Sequence, residues 1–253
     1  MIKNTIGASL LALGLIGATS SQAAIVVIEN FEVQGNGEPT GVQTFTHPGY
    51  TYVNTPFSPN PGPGSLWAEG TLAEVVTSSS VHSLWFPTTT AFNGQMFLAV
   101  NGSTTPGQIA FRRSLIPVVA GLQYFFDSNL TALFPTVASA TADLTFSVQY
   151  FNALNVAVGP AFIGGTTTPT VVGVWIPQSL AALAPIGATT ATISLANSDI
   201  GASGNDFGVD YITFDTERQV PGVPEVSTGI SAGAFALVGG LIVLRRRKSA
   251  QVA

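Results

Sequence analysis

The side chains that could support catalysis are few in this sequence. The 253 residues include no cysteine and two histidines, His47 and His82, so cysteine nucleophiles, thiolate zinc sites and disulfides are excluded. Nothing in the local sequence pairs either histidine with a nucleophile, and no His-x-x-x-His spacing predicts a zinc site. Carboxylates for a glycoside-hydrolase pair are available, but no pattern singles out two of them. The sequence therefore favours a non-catalytic protein; a secreted hydrolase acting on polysaccharide is the alternative.

Charge is sparse along the chain and argues against one class of partner. Charged residues make up 8% of the sequence, against about 25% in an ordinary soluble domain. From Glu29 to Arg218 the sequence contains twelve acidic residues, three arginines and no lysine, which gives a net charge of −9. A surface of that sign repels polyphosphates, so we expect no nucleic-acid binding. Neutral polymers and divalent cations are the expected partners.

The N-terminal segment has the three parts of a secretory signal peptide. Lys3 supplies a positive charge, and residues 6–18 form an apolar stretch that is too short for a comfortable membrane span. Small residues follow, with Ser21 and Ala23 at the positions that a signal peptidase prefers. We therefore expect cleavage after Ala23, which removes residues 1–23 and exports the rest. The alternative is a buried N-terminal helix.

The C-terminal segment is typical of a membrane anchor. A linker over residues 218–228 precedes sixteen residues without a charge, 229–244. This stretch is short for a membrane span, which needs about 20 residues. Four adjacent basic residues follow and resist translocation, so they stay cytoplasmic and the body lies on the far side. The sequence thus predicts a single transmembrane helix over 229–244 and a basic cytoplasmic tail over 245–253. The four basic residues are Arg245, Arg246, Arg247 and Lys248.

This C-terminal arrangement resembles the PEP-CTERM sorting signal of Gram-negative bacteria that make exopolysaccharide. In that family a Val-Pro-Glu-Pro-like motif precedes the apolar stretch and the arginine cluster, and an exosortase processes the protein near the motif. Val223, Pro224 and Glu225 match the motif, whereas Val226 replaces its second proline. The resemblance implies a protein that is first anchored in the inner membrane facing the periplasm and then passed to the cell surface or extracellular matrix. The alternative is a plain anchor that is never cleaved.

Between the two ends the sequence predicts one all-β domain over residues 24–217. Polar and apolar residues alternate without a break in Asp143–Tyr150 and in Thr190–Asn197, which is the period of a half-buried strand. Short strands separated by glycine and proline predict an antiparallel β-sandwich. Proline-rich residues 54–64 are expected to form a surface loop, and residues 181–185 a short helical turn. Further strands are predicted at Ile25–Val33, Gln95–Val100, Gln108–Leu115, Gln123–Leu130 and Phe207–Phe214.

Three stretches resemble segments of the galactose-binding-like jelly-roll domains found among carbohydrate-binding modules. The first is Glu29-Asn30-Phe31-Glu32, and the second is residues 101–126, with their Asn-Gly, Pro-Gly-Gln-Ile and Gly-Leu-Gln-Tyr-Phe-Phe motifs. The third is residues 204–214, in the last predicted strand. The resemblance implies that the sandwich is a jelly roll.

A structural calcium ion often joins the first and last strands in the domains that this chain resembles. The resemblance implies Glu32, Asp206 and Asp210 as its carboxylate ligands, and calcium prefers oxygen ligands of this kind. The alternative is that Asp206 shapes a turn while Asp210 accepts hydrogen bonds from backbone amides.

Sugar binding is the activity that the tryptophans suggest. Carbohydrate-binding modules stack sugar rings on exposed tryptophan or tyrosine, and Trp67 directly follows the proline-rich loop, where we expect it to be exposed. Trp85 lies in an apolar run and is expected in the core, which is also the alternative for any single aromatic residue. The sequence therefore predicts an exported, exosortase-sorted and non-catalytic surface or matrix protein that binds exopolysaccharide.

Overall fold

Two β-sheets, and a layer that covers one of them, make up the part of the chain that the computed structural model describes. The described residues are 27–29, 31, 45–54, 56–92, 96–134, 142–168, 171–198 and 205–218. They form eleven strands and one 3-10 helix, Ser78–Ser80. The strands are β1 Val27–Glu29, β2 Thr51–Tyr52, β3 Thr71–Val75, β4 Phe97–Val100, β5 Gln108–Pro117, β6 Gln123–Ala132, β7 Asp143–Phe151, β8 Phe162–Thr167, β9 Ile176–Leu183, β10 Thr190–Asn197 and β11 Phe207–Asp215.

Several predictions made from the sequence fall outside these residues. They are the signal peptide over 1–23 with its cleavage site at Ala23, Glu32, the sorting motif, the apolar stretch over 229–244 and the basic tail over 245–253. Among the described residues, no helix has the length and apolar character needed to cross a membrane.

The strand order confirms the predicted antiparallel β-sandwich. One sheet contains β4-β11-β6-β9 and the other β5-β10-β7-β8, with every neighbouring pair antiparallel. Eight strands ordered in this way form a jelly roll. β3 extends the first sheet beyond β4, β2 pairs with β3 in parallel, and β1 pairs with the last part of β11. We call the end of the sandwich at which β11 finishes the exit end, and the end at which β11 begins the opposite end.

The two strands with the clearest alternation in the sequence form as predicted. β7 alternates between buried and partly exposed residues from Leu144 to Phe151. β10 has the predicted bounds and buries Ala191, Ile193 and Leu195 fully. A strand directs successive side chains to opposite faces, so each alternating run places its apolar residues between the sheets.

The main core lies between the sheets. The rings of Phe126 on β6 and Phe146 on β7 meet edge to face, with centroids 4.9 Å apart. The buried hydroxyl of Tyr150 donates a hydrogen bond to the carbonyl oxygen of Ala182 across the core, over 2.9 Å. This bond gives the phenol a partner, as burial of a polar group requires.

A second, smaller core covers the outer face of β3 and β4. Ala73, Val75, Phe97 and Ala99 point outward and pack with Trp85, together with Leu66, Val81 and Leu133. β3 and β4 are therefore buried on both faces, because the chain on either side of β3, residues 53–70 and 76–92, packs over their outer face.

One local prediction is wrong. Residues 181–185 were expected to form a helical turn, but Ala181 to Leu183 belong to β9 and pair with Phe125 to Gln123 of β6. Alanine and leucine favour helix locally, and the cross-strand pairing outweighs that preference. The proline-rich loop is confirmed, because its described residues, 54 and 56–64, lie outside all strands and helices.

Candidate functional site

Three stacked rings lie in the layer outside the first sheet. Trp67 and His82 have ring centroids 4.3 Å apart with planes inclined by 13°. His82 and Trp85 follow at 4.7 Å and 12°. Trp85 is fully buried, whereas Trp67 is partly exposed. The stack therefore runs from the core to the surface. Since His82 covers one face of Trp67, the exposed part of that indole is its other face or its edge.

Hydrogen bonds fix both indoles. The Nε1–H of Trp67 donates to the carbonyl oxygen of Pro59 over 2.7 Å, and the amide of Ser83 donates to the same oxygen over 2.8 Å. This carbonyl joins the proline-rich loop to the segment that carries His82. At the buried end of the stack, the Nε1–H of Trp85 donates to Oδ2 of Asp206 over 2.8 Å.

His82 is neutral within the stack. Burial lowers the pKa of its imidazole to about 4. Its Nδ1 accepts a hydrogen bond from the amide of Leu84 over 3.3 Å, so the proton of the neutral ring resides on Nε2. The ring thus acts as a flat, uncharged spacer between two tryptophans.

Asp206 ties the stack to the opposite end of the sandwich. Besides the bond from Trp85, its Oδ1 accepts one from the amide of Gly102 over 2.9 Å. Burial raises the pKa of Asp206, and these two bonds partly offset that rise. Partial burial, together with the negative charge of Asp206, raises the pKa of Glu69 to about 7. Glu69 is an exposed residue two positions after Trp67, so this surface combines an indole with a carboxyl that can donate or accept a proton near neutral pH.

Two asparagines complete this end. Asn101 donates to the carbonyl oxygen of Leu66, and Asn205 donates to that of Ser103 over 3.0 Å. The Oδ1 atoms of both asparagines are buried without a hydrogen-bond partner among the residues that the structure describes. Gly102 lies against Asn205 so closely that a Cβ atom there would stand 1.6 Å from Oδ1 of Asn205.

Two of the carboxylates predicted to bind calcium, Asp206 and Asp210, lie within the described residues and are apart from each other. Asp210 accepts hydrogen bonds from the amides of Phe92 and Tyr211, over 2.8 and 2.7 Å. Asp206 immediately precedes β11 and Asp210 lies four residues further along the extended chain, a separation of about 13 Å. That exceeds the reach of one calcium ion, whose ligands lie at about 2.3–2.6 Å. Because Glu32 lies outside the described residues, a calcium site that pairs Glu32 with one of the two aspartates stays a prediction. No group of three or more His, Asp or Glu side chains could hold a metal within the described part of the chain.

Two interacting carboxylates that the sequence did not reveal lie on β1 and β3 of the first sheet. Glu29 is paired with Ile212, and Glu74 with Leu98. Burial and the charge of Glu29 raise the pKa of Glu74 to about 7, while a hydrogen bond from Tyr52 lowers it. His47 stacks on Tyr52 with centroids 5.5 Å apart. Forty-five residues separate the two acids in the sequence, so the strand order had to be known before they could be paired.

Comparison with known proteins leaves the family open. No protein-family profile matches the sequence, and no curated protein matches it significantly. Among solved structures, it is similar to the CBM22-1 xylan-binding domain of Paenibacillus barcinonensis Xyn10C, with 15% identity, a TM-score of 0.45, and coverage of 78% of this chain and 97% of that one. It is also similar to the C-terminal family 22 carbohydrate-binding module of Clostridium thermocellum Xyn10B, with 14% identity, a TM-score of 0.43, and coverage of 77% and 95%.

A catalytic domain is similar to a comparable degree. The enzymatically active domain of bacteriophage CBA120 tailspike protein 4 has 17% identity and a TM-score of 0.40, with coverage of 73% of this chain and 21% of that one. All three TM-scores are below 0.5, so these likenesses assign no activity. The fold assignment rests on the strand order.

Proposed function

We propose that this chain is an exported, membrane-sorted surface or matrix protein whose β-sandwich binds a neutral polysaccharide without cleaving it. The observation that carries the binding proposal is the ring stack of Trp67, His82 and Trp85. It presents a partly exposed indole whose orientation is fixed by a ring contact and by a hydrogen bond.

A fixed indole suits sugar recognition on energetic grounds. The apolar face of a sugar ring can pack on the indole, and little side-chain entropy is lost because Trp67 is already held in place. Glu69, with its pKa of about 7, supplies a carboxyl for hydrogen bonds to sugar hydroxyls. The net charge of −9 between residues 29 and 218 disfavours polyanionic ligands. A neutral polymer is therefore the expected ligand.

The sorting part of the proposal rests on the two ends of the sequence. A signal peptide that ends at Ala23 would export the chain, and the apolar stretch with its basic cluster would hold it in the inner membrane, facing the periplasm. Processing by an exosortase at Val223, Pro224 and Glu225 would then release the body to the cell surface or matrix. Signal peptidase, exosortase, membrane and exopolysaccharide are the partners of this route.

Affinity electrophoresis in gels that contain xylan, soluble cellulose derivatives or the exopolysaccharide of the native host tests the binding proposal. We expect at least one polymer to retard the parent protein and the Trp67→Ala variant to lose affinity by about tenfold or more. Trp175→Ala is the matched control, because Trp175 is also partly exposed and also donates to a backbone oxygen, that of Thr90 over 3.1 Å. Undiminished binding by Trp67→Ala, or equal losses in both variants, would refute the assignment of this surface.

The carboxylate pair of Glu29 and Glu74 favours a second candidate, a glycoside hydrolase. One carboxyl with a pKa near 7 beside a second carboxylate is the arrangement that acid–base hydrolysis uses. Measurement of reducing ends released from the same polymers separates the candidates. Under the binding proposal we expect no release from the parent protein. A release that Glu74→Gln abolishes without lowering the melting temperature would establish the hydrolase instead.

A further inference from the structure

Three loops at the exit end carry large aliphatic side chains into solvent. The loops are residues 118–122 between β5 and β6, 152–161 between β7 and β8, and 184–189 between β9 and β10. Ile186 is 92% exposed and Leu154 83%. Exposed aliphatic residues at this end also include Val119, Leu122, Val156 and Leu183. We call these six side chains the aliphatic tip.

Backbone hydrogen bonds join the three loops into one surface. The amide of Gly121 donates to Ala184 over 2.8 Å, and the amide of Ala184 donates to Leu122 over 2.9 Å. The amide of Thr189, in the third loop, donates over 2.8 Å to the carbonyl oxygen of Phe151, which directly precedes the second loop. Five of the six side chains therefore project from loops whose relative positions are fixed, and the sixth, Leu183, ends β9 beside them.

The aliphatic tip has no charge within its loops. Residues 114–126, 151–162 and 183–190 contain no Asp, Glu, Lys, Arg or His. The charged residues of the exit end lie on the departing chain instead, at Asp215, Glu217 and Arg218. Exposed apolar surface of this kind marks a contact with a protein or a membrane.

The chain leaves the sandwich beside the aliphatic tip. Asp215, the last residue of β11, pairs with Phe125, and Gln123 at the start of the same β6 strand pairs with Leu183 of the tip. Fourteen peptide steps separate Asp215 from the predicted membrane span at Gly229, a reach of at most about 50 Å. An anchor at that distance keeps the exit end at high effective concentration next to the bilayer.

We propose that the aliphatic tip inserts into the interfacial region of the bilayer that anchors the chain. The sandwich then stands on the membrane, with Trp67 and the ring stack on the side away from it. The aliphatic tip includes no Trp, Tyr or Arg, the residues that dominate protein–protein hot spots. Aliphatic insertion without basic residues depends on hydrophobic transfer alone, so it is insensitive to salt and to lipid headgroup charge.

A single-cysteine labelling experiment tests insertion in the full chain, since the natural sequence has no cysteine. Ile186→Cys at the tip and Thr104→Cys at the opposite end each carry an environment-sensitive fluorophore, in chains reconstituted into phosphatidylcholine vesicles. We expect lipids with brominated acyl chains to quench the label at position 186 several-fold more than the label at position 104, with no change on adding salt. Equal access of both labels to aqueous iodide, with the chain still bound to vesicles, would overturn the proposal.

Two further measurements distinguish insertion of the tip into the bilayer from packing of the tip against a second copy and from failure of the membrane anchor. Replacing Leu154 and Val156 together by serine should reduce lipid quenching at position 186 while the melting temperature is kept. If the label at position 186 is shielded from both brominated lipid and iodide when chains are crowded, and becomes accessible to iodide on dilution below one chain per vesicle, the tip packs against a second copy and bilayer insertion is wrong. This inference rests on the membrane-anchored part of the proposed function and not on polysaccharide binding. A chain that fails to bind vesicles at all would overturn the anchor and this inference together, whereas a bound chain with a solvated tip overturns this inference alone.

Discussion

His82 is the residue on which the ring stack depends, because both tryptophans contact it and do not contact each other. Its imidazole is 4% exposed and accepts the amide of Leu84 through Nδ1. Protonation would remove that acceptor and place a charge where water is largely excluded. The stability of the fold is therefore linked to the ionisation of this one ring.

The sign of that linkage gives a pH prediction. The folded pKa of His82 is lowered from 6.5 to about 4, so the unfolded chain takes up a proton below pH 6.5 that the folded chain refuses until about pH 4. The stability that His82 contributes is therefore complete above pH 6.5 and falls as the pH decreases. Between pH 8 and pH 5 we expect the parent to lose about 2 kcal/mol in its free energy of unfolding from this group.

His82→Phe keeps a ring in the stack and removes its titration. Urea unfolding at both pH values should show a smaller acid loss for this variant than for the parent, by about the same 2 kcal/mol. Subtracting the acid loss of the variant from that of the parent removes the contribution of the other ionisable groups, because both proteins contain them. Parallel pH profiles would mean that His82 is not desolvated in the folded protein.

One residue of this site was predicted in its role. Trp67 was expected to be exposed because it follows a proline-rich loop, whereas Asp206 was predicted only as a calcium ligand implied by the resemblance or as a turn residue. The role of His82 was not recognisable, since no local pattern marks a ring that stacks between positions 67 and 85. The bond from Trp85 to Asp206 joins residues 121 positions apart, and only the tertiary fold brings such residues together.

Among the elements, β7 and β10 were predicted from their alternation, and the strands predicted around β1, β4, β5, β6 and β11 also form, whereas β3 and β9 were not predicted. β7 and β10 alternate cleanly, and both were found. β3 has no alternation because the outer layer buries its second face, so its sequence lacks the expected period. β9 alternates in burial, but its apolar residues are mostly alanine and leucine, and its proline further obscures the strand pattern.

β11 contains a glycine that the close approach of two neighbouring strands requires. A Cβ atom at Gly208 would lie 2.8 Å from Cγ2 of Thr131 on β6 and 3.1 Å from the ring of Phe97 on β4. We expect Gly208→Ala to lower the free energy of unfolding by about 1–3 kcal/mol, the usual effect of overpacking. Thermal or urea unfolding measures the change.

Gly165→Ala on β8 is the control for that substitution. A Cβ atom at Gly165 meets nothing closer than 3.9 Å, and alanine costs less backbone entropy than glycine in a strand. This variant should be as stable as the parent or slightly more stable. Equal destabilisation of both variants would attribute the effect to the loss of glycine and not to crowding around β11.

At the scale of the whole molecule, the two ends of the jelly roll differ in character. The opposite end carries the partly exposed Trp67 and the exposed Glu69, which are groups suited to hydroxylated ligands. The exit end carries uncharged aliphatic loops and the departing chain. The two proposals, polymer binding at one end and membrane contact at the other, require ends of different character. The fold separates these ends because β11 begins at one and finishes at the other.

Proteolytic processing of the segment that follows β11 is the last property that can be tested. Eight peptide steps separate Asp215 from the motif at Val223, which permits a reach of at most about 28 Å from the sandwich and gives a membrane-bound protease room to act. We expect intact-mass analysis of the protein from its native host to show a C-terminus between Pro224 and Val226. Val226→Pro, which restores the second proline of the motif, should raise the processed fraction, and Glu225→Ala should lower it. A full-length mass that neither substitution changes would identify the tail as a permanent anchor, and the sandwich would then remain at the inner membrane.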